Sequence, residues 1–402
     1  MRINYNSFAN DTNLVSNFYD NFPYPESPII EGPPSVLDWR YSLENVYSEC
    51  IGAISPSLKT GRKIRILDAG CGTGVSTNCL SYLNSNAEIV AIDISSKSLD
   101  LAKRRLCKAS EYNNSVIQFQ EIDLLNFKSN KGFDYINSIG LLNHIKDPLK
   151  GFITLRRSLK EEGIIHLFIY SKYGRSRINL MNQIFRILGL GASQNDITLA
   201  RELINFLPDD NLLKNDFQYF CRKEYISDFK FADIYLHPFE TNFTLDRLFN
   251  LLELSGLELL GFSNKRVWSL ERLLSGKLLQ KANLLGLKEK LQLIEKLDPS
   301  IDGFDVFLAR KTFKTYKWNS DAEILLTRAK VNSLFVNLEK NIFLNQDMQK
   351  THISNHEIDL LRRVSSNPGE PLQTLASGLG KDLLTSLVRQ LWQKKMLLLY
   401  PL

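Results

Sequence analysis

The sequence predicts an α/β protein with a doubly wound, mostly parallel sheet and a second, mainly helical domain. From residue 63 onward, short β-branched apolar runs alternate with segments of helical periodicity, the order that a parallel sheet with covering helices requires. The spacing of these runs leaves room for a crossover helix after most of them. A chain of 402 residues also exceeds the usual size of one hydrophobic core, so more than one domain is expected.

Seven runs are predicted to be strands: residues 64–68, 88–93, 116–122, 133–138, 163–170, 257–262 and 304–309. Two long segments interrupt the alternation after the fifth strand. Residues 172–241 are too many for a connecting loop and are interpreted as a helical insertion or lid. Residues 266–300 carry leucines at three- and four-residue spacing, which predicts a second helical insertion.

Three regions follow from this pattern. Residues 1–60 are predicted to form an N-terminal cap segment with a helix, residues 61–311 the sheet domain with its insertions, and residues 312–402 a helical C-terminal domain. The end of the chain, residues 356–400, reads as three helices and an apolar run, an order that resembles a small winged-helix unit. Any three-helix cap would give the same pattern, so both interpretations stay open.

Composition excludes several classes of protein. Hydrophobic residues at 44% and charged residues at 23% are ordinary for a globular protein, and the net charge of +6 is spread along the chain. Five cysteines without a CxxC pair argue against a disulfide framework and a cysteine zinc site, so no metal is predicted. The start lacks the apolar core of a signal peptide, and no apolar run is long enough to cross a bilayer. We therefore expect a cytoplasmic protein without a membrane partner.

Three glycines stand between the first predicted strand and the helix after it, in the segment Leu67-Asp68-Ala69-Gly70-Cys71-Gly72-Thr73-Gly74. Glycine lets the backbone bend sharply and lets a ligand approach without a Cβ in the way. The switch point of a doubly wound sheet is also where ligands bind. A dinucleotide fingerprint would need its third glycine at position 75, where Val75 stands, so that interpretation is weakened considerably.

The segment from Asp68 to Gly74 resembles motif I of class I S-adenosylmethionine (SAM)-dependent methyltransferases. The family implies methyl transfer, SAM as cofactor, and a seven-stranded Rossmann-like sheet whose last strand is antiparallel. Asp93 follows the second strand where the family binds the ribose hydroxyls, and Asp123 follows the third strand where it contacts adenine. The resemblance implies these cofactor-binding residues: Asp68, Gly70, Cys71, Gly72, Gly74, Asp93, Ile94, Asp123, Leu124 and Ser138. Singly, the glycines could form an ordinary turn and Asp93 could cap a helix, but their joint order favours the family.

Three residues are candidates for the chemistry: His144, His237 and Tyr24. His144 lies just past the fourth strand, and an imidazole suits proton transfer at neutral pH, although it could instead cap or pack the next helix. His237 lies where the first insertion returns to the core and could point into the pocket or be a satisfied surface histidine. Tyr24, with Tyr19, could close over the methionine end of the cofactor or only fix the N-terminal segment to the core.

The acceptor is predicted only by class. The combination of core, insertion and helical extension resembles bacterial methyltransferases with a regulatory-type domain, some of which methylate protein lysines, so a protein side chain or a small molecule is expected. A tRNA or rRNA methyltransferase and a non-catalytic SAM-binding protein are the alternatives. Residues 371–402 carry four cations, Lys381, Arg389, Lys394 and Lys395, which is thin for a nucleic-acid surface.

Overall fold

The computed structural model describes residues 12–54, 63–112, 114–310, 313–376 and 378–401, which fall into two compact units. The first unit comprises residues 12–37 and 63–310 of the described chain, and the second comprises 38–54 and 313–401. The predicted cap over residues 1–60 is therefore divided, since its described part belongs to both units. The predicted domain boundary at 311–312 lies outside the described residues.

A seven-stranded sheet forms the centre of the first unit, with the order β3-β2-β1-β4-β5-β7-β6. Strands β1 to β5 run parallel to one another, whereas β7 is antiparallel to both of its neighbours, β5 and β6. The strands are β1 Arg65–Ala69, β2 Glu88–Asp93, β3 Val116–Glu121, β4 Phe133–Ile139, β5 Leu159–Tyr170, β6 Glu258–Phe262 and β7 Gly303–Ala309. The fold class, the seven strands and the antiparallel last strand confirm the sequence-based prediction. Only β5 differs clearly, because it begins at Leu159 in a polar stretch that lacks strand periodicity.

Fifteen α-helices are present in the described part of the chain. They are α1 Thr12–Asn21, α2 Leu43–Ile51, α3 Val75–Leu83, α4 Ser96–Lys108, α5 Pro148–Ser158, α6 Ser176–Ile187, α7 Gln194–Phe206, α8 Leu212–Lys223, α9 Asp228–Tyr235, α10 Leu245–Ser255, α11 Gly276–Ala282, α12 Leu287–Leu297, α13 Asp321–Leu326, α14 Asn355–Ser366 and α15 Lys381–Gln393. None of them combines the length and the apolar character needed to cross a bilayer.

Helix α10 shows how local chemistry sets an element. The Oγ1 atom of Thr244 accepts a hydrogen bond from the N–H of Arg247 (3.2 Å), which satisfies an otherwise unpaired amide of the first turn. The helix ends at Gly256, whose φ of 70° is readily adopted by glycine alone among common residues. Its inner face, with Leu248 and Leu252 buried, packs into the main core against the sheet.

The first insertion, α6 to α9, packs around Phe231 in a hydrophobic cluster that also includes Phe18 of α1. The second insertion, α11 and α12, packs around Leu270 and Ile294, and Leu291 of α12 belongs to the main core. Apolar contacts therefore join both insertions to the rest of the first unit.

The second unit contains α2 and α13 to α15 together with four short strands, β8 Arg328–Val331, β9 Val336–Asn337, β10 Ile342–Phe343 and β11 Leu397–Tyr400. Strand β8 pairs antiparallel with β11, and the N–H of Ile54 donates to the carbonyl of Leu399 (2.9 Å). Over residues 356–400, where three helices and an apolar run are predicted, the structure has α14, a short 3₁₀ helix at Leu372–Ala376, α15 and strand β11. Strands β8 to β10 were not predicted, because two- and four-residue strands are too short to show alternation.

Candidate cofactor and acceptor site

Partly exposed residues gather at the carboxyl ends of β1 to β4, although the interiors of β1, β2 and β4 are buried. Gly70, Asp93, Asp123 and Gly140 each stand just beyond or at such an end and keep solvent exposure. The carboxyl ends of parallel strands meet at one edge of the sheet, and the strand order reverses between β1 and β4. Ligands of doubly wound sheets bind at this place.

Asp68 is fully buried behind this edge and is held by protein donors. Its carboxylate accepts hydrogen bonds from the hydroxyls of Ser76 and Thr77 (both 2.7 Å) and from the Nδ2 amide of Asn137 (2.8 Å). Burial raises the pKa of Asp68, and these three donors act in the opposite direction. The carboxylate thus ties the glycine loop and the start of α3 to strand β4.

The chain of buried polar groups continues across the sheet. The Oδ1 atom of Asn137 lies 3.1 Å from Nδ1 of His166, whose Nε2 lies 2.8 Å from a carboxylate oxygen of Asp305. Four strands, β1, β4, β5 and β7, are therefore linked by side chains as well as by the backbone ladder. Buried networks of this kind fix one arrangement of a core, since a broken link leaves a polar group unpaired.

Asp93 at the end of β2 organises the glycine loop from the other side. One carboxylate oxygen accepts the N–H of Gly72 (2.9 Å), and the other accepts the N–H of Ser95 (2.9 Å). Burial raises the pKa of Asp93, whereas these amides lower it. Each oxygen keeps a further lone pair, so the carboxylate can accept more hydrogen bonds from a ligand.

The N-terminal segment runs over the glycine loop. The carbonyl of Tyr24 accepts the N–H of Thr73 (3.2 Å), and the carbonyl of Pro25 accepts its hydroxyl (2.7 Å). The buried guanidinium of Arg105 on α4 donates to the carbonyls of Thr73, Ser27 and Pro28 (2.7–3.0 Å). At Gly72 the steric restriction comes from this segment, because a Cβ there would meet the Tyr24 oxygen at 2.3 Å.

Helix α1 covers the neighbouring strand end. The hydroxyl of Ser16 donates to the carbonyl of Ile94 (3.0 Å), and the carboxylate of Asp20 accepts the hydroxyl of Ser95 (2.7 Å). Tyr19 lies on the same helix, and the charge of Asp93 contributes to its raised pKa, after burial and Asp233. Tyr19 therefore lies within electrostatic range of the carboxylate at the end of β2.

His144 and His237 are brought together, with ring centroids 3.8 Å apart. Both are buried, and both contact the backbone of Phe239. Nδ1 of His144 lies 3.0 Å from the Phe239 carbonyl, which can only accept, so Nδ1 carries a proton. The N–H of Phe239 donates to Nδ1 of His237 (3.1 Å), so the neutral His237 carries its proton on Nε2. One backbone residue thus selects opposite tautomers in the two imidazoles.

The segment with Phe239 is fastened to the core by Asn143. The Nδ2 amide of Asn143 donates to the carbonyl of Thr241 (2.6 Å), and its backbone carbonyl accepts the N–H of the same residue (2.7 Å). Its Oδ1 accepts the N–H of Tyr170 at the end of β5 (3.1 Å). Asn143, through its side chain and its backbone, therefore fixes the position at which the first insertion returns to the core beside His144.

A buried carboxylate and several tyrosines surround the histidine pair. The hydroxyl of Tyr19 donates to Asp233 (3.1 Å), and the Tyr19 ring centroid lies 5.4 Å from that of His237. Burial, and then the charge of Asp233, raise the pKa of Tyr24 to about 12. Burial raises the pKa of Asp233, whereas His144 and the Tyr19 hydroxyl lower it.

The guanidinium of Arg175, close to this cluster, is already paired with a carboxylate. Arg175 donates to Glu240 through Nε (3.1 Å) and Nη2 (2.8 Å), and both side chains are buried. The same guanidinium lies over the ring of Tyr170, 3.9 Å from its centroid. Because Glu240 neutralises Arg175, this guanidinium is not available to bind an anionic ligand.

Comparison with known proteins gives this site a context. A profile of the family described as Methyltransferase domain matches residues 67–165. An uncharacterized protein of Synechococcus sp. is 35% identical over 397 residues, which cover 97% of this chain and 94% of that protein, so the two belong to one family. The mitochondrial ubiquinone biosynthesis O-methyltransferase of Schizosaccharomyces pombe is 26% identical over 161 residues, 39% of this chain and 58% of its own length.

Among solved structures, PKMT2 from Rickettsia typhi in complex with AdoHcy superposes with a TM-score of 0.61 at 17% identity, covering 94% of this chain and 77% of that one. This likeness supports the fold. This chain is a class I SAM-dependent methyltransferase.

The residues at the sheet edge of the methyltransferase fit SAM. Asp93 offers a carboxylate with free lone pairs to two hydroxyls, and the exposed backbone of Gly70 and Gly72 adjoins it. The hydroxyl of Ser138 on β4 is buried and has no partner among the described residues, so a polar group of a ligand could satisfy it. SAM is the cofactor.

The structure distinguishes the predicted cofactor residues by their surroundings. Gly70, Gly72, Asp93, Ile94 and Asp123 are partly exposed at the edge. The other five are buried: the side chains of Asp68, Cys71, Leu124 and Ser138, and Gly74, whose backbone packs against Ala102. The direct contact of each of these residues with SAM stays a prediction.

Sequence reasoning did not select four residues that lie around the histidine pair: Asn143, Asp233, Phe239 and Glu240. Asp233 and Glu240 stand in the same short segment as His237, and Asn143 precedes His144, so proximity in sequence to a candidate histidine was the available signal. Phe239 acts through its backbone, which no side-chain pattern reveals.

Proposed function

We propose that this enzyme methylates an amine acceptor and that His144 takes the acceptor's proton. The observation behind this proposal is the hydrogen bond from Nδ1–H of His144 to the carbonyl of Phe239. In the neutral imidazole, this bond leaves Nε2 with a free lone pair. In the described chain no hydrogen bond involves that nitrogen. A histidine so oriented is suited to act as a general base.

The charge of the cluster supports an amine. Arg175 and Glu240 neutralise each other, and burial holds the pKa of His237 well below its usual value, so this imidazole is uncharged. Asp233 then has no ion-pair partner in the described chain; the Tyr19 hydroxyl donates to it, and, after burial, its charge raises the pKa of Tyr24 and Tyr170. A buried carboxylate without an ion-pair partner favours a cationic ligand such as an ammonium group.

The proposed roles follow from these positions. When bound, SAM supplies an electrophilic methyl group on a sulfonium. An ammonium group on the acceptor must lose a proton before its nitrogen can attack, and Nε2 of His144 accepts that proton. Asp233 stabilises the imidazolium that forms, since its charge and that of His144 favour each other. The Nε2–H of His237, buried without a partner in the described chain, orients a polar atom of the acceptor.

A hydroxyl acceptor is the second candidate. It is favoured by the similarity to the ubiquinone biosynthesis O-methyltransferase and by the same base, which could take a proton from a phenol. Nucleic acid is disfavoured, because Arg389, Lys394 and Lys395 of the second unit pair with Asp321, Glu357 and Glu49. We keep the cytoplasm as the proposed location.

The test is transfer of tritiated methyl from SAM into a cell lysate by the full-length enzyme, followed by separation into protein, RNA and small-molecule pools. We expect label in an amine of the protein or small-molecule pool, identified by mass spectrometry after hydrolysis. Label in a hydroxyl would select the second candidate, and label in RNA would contradict both. Absence of transfer with normal SAM binding would support a non-catalytic role.

A further inference from the structure

The second insertion exposes apolar side chains that its own fold does not use. Its core consists of Leu270, Ala282 and Ile294, each at most 5% exposed. Five other leucines keep exposed fractions of 40–87%. Leu297 (44%) is the last residue of α12, and we call the other four the leucine patch: Leu278 (66%), Leu284 (87%), Leu285 (40%) and Leu287 (72%). Because the insertion has its core without them, folding alone does not explain the patch.

The four leucines lie in one helical hairpin. Leu278 is on α11, Leu284 and Leu285 are in the connection, and Leu287 begins α12. A side chain that is 87% exposed, as that of Leu284 is, protrudes from the protein surface rather than lining a groove. Protruding leucines suit a soft partner into which they can insert.

Lysines accompany the patch. Lys277, Lys281 and Lys288 are exposed, and none has an ion-pair partner within the described residues. From residue 276 to residue 290 the chain carries four lysines, the fourth being Lys290, against one acid, Glu289. The ammonium groups therefore give this hairpin a positive charge that an anionic surface complements.

We propose that the leucine patch docks the enzyme on an anionic lipid surface. Leucines enter the boundary between head groups and acyl chains, and the neighbouring lysines contact the head groups, which is the usual arrangement of an interfacial helix. Interfacial docking needs no spanning helix, so it differs from the transmembrane segments that the sequence excludes. It would revise the sequence-based expectation that the protein has no membrane partner.

The proposal is tested by co-sedimentation of the full-length enzyme with vesicles of phosphatidylcholine alone and of phosphatidylcholine with phosphatidylglycerol. We expect retention on the anionic vesicles, weakened by salt. The double variant Leu284→Ser/Leu287→Ser should lose retention by roughly tenfold or more, and Lys277→Gln/Lys281→Gln should lose it mainly at low salt. The double variant Leu188→Ser/Leu254→Ser removes leucines of 55% and 58% exposure elsewhere in the first unit and should bind as the parent does.

Three results would overturn the proposal. The first is no retention of the parent on either vesicle. The second is equal retention of the Leu284/Leu287 variant, with far-UV circular dichroism showing that it is folded. The third is self-association of the parent in analytical ultracentrifugation that this variant abolishes without any vesicle binding, which would make the patch an interface between two copies.

Discussion

The rings of His144 and His237 are in contact in the first unit, with centroids 3.8 Å apart and planes tilted by 35°, and the backbone of Phe239 gives them opposite tautomers. The two residues are far apart in sequence, and each reaches this position for a different reason. His144 follows β4, whereas His237 follows the last helix of the first insertion. The acceptor side therefore depends on the insertion and the core together.

Replacement of His144 by Gln should lower kcat by about 10²–10⁴-fold, the usual loss when a general base is removed. SAM binding should be nearly unchanged, since the hydrogen bonds from Gly72 and Ser95 to Asp93 do not involve His144. Turnover and calorimetric SAM binding measure the two effects. His356→Gln, an exposed histidine of the second unit, is the control. Unchanged turnover in His144→Gln would remove this residue from the mechanism.

Replacement of Asp93 by Ala should weaken SAM binding by roughly tenfold to a hundredfold, the equivalent of about 1.5–3 kcal/mol for hydrogen bonds to a charged group. It removes the proposed ribose contacts and also the acceptors of the Gly72 and Ser95 amides. Isothermal titration calorimetry gives the affinity. Asp100→Ala, an exposed aspartate on α4, should bind SAM as the parent does. Normal affinity in Asp93→Ala would contradict the proposed pocket.

Replacement of Gly72 by Ala should displace the N-terminal segment, because the new Cβ would meet the Tyr24 carbonyl at 2.3 Å. We expect faster proteolysis near residues 12–28 and weaker SAM binding; Val at this position should act more strongly. Gly189→Ala is a matched control, since Gly189 also has positive φ (71°) but a Cβ there would meet no atom within 4 Å. Equal proteolysis rates and equal SAM affinities in the two variants would show that backbone strain, and not the contact with Tyr24, causes the effect.

Replacement of Asn137 by Leu should lower the free energy of unfolding by about 2–5 kcal/mol. The change leaves both Asp68 and His166 with an unmade hydrogen bond, each costing about 1–3 kcal/mol. Urea denaturation measures the loss. Asn126→Leu, at an exposed position of the same unit, should change stability by less than about 0.5 kcal/mol. An equally small loss of unfolding free energy in Asn137→Leu would show that the hydrogen-bond network across the sheet contributes little to stability.

The stability of the first unit should depend on pH through His237. Burial lowers its pKa well below 6.5, so the folded state holds it neutral. The unfolded chain protonates this histidine as pH falls below about 6.5, binds more protons than the folded state, and thereby lowers stability toward acid. Between about pH 7.5 and 5, His237→Gln should lose less unfolding free energy than the parent, by at most about 1.4 kcal/mol per pH unit. Parallel plots of unfolding free energy against pH for the parent and His237→Gln would contradict this assignment. His356→Gln is the control.

The sheet and its ligand edge could be predicted because their signals are local. Most strands contain a short β-branched apolar run. The loop from Gly70 to Gly74 follows the end of β1, and Asp93 ends β2. The contact between His144 and His237 could not be predicted, because it depends on the path of the first insertion and on its attachment through Asn143. The restriction at Gly72 likewise comes from a distant segment, which periodicity does not report.

The hydrogen bond between Ile54 and Leu399 has a consequence for how the chain is made. The second unit draws on segments before and after the sheet, so it cannot complete its fold until translation has passed residue 399. The sheet has all its strands once residue 309 has left the ribosome. We therefore expect α2 to lack its contact with β11 through most of synthesis. Deletion of residues 397–401 should leave α2 exposed to chaperones and proteases.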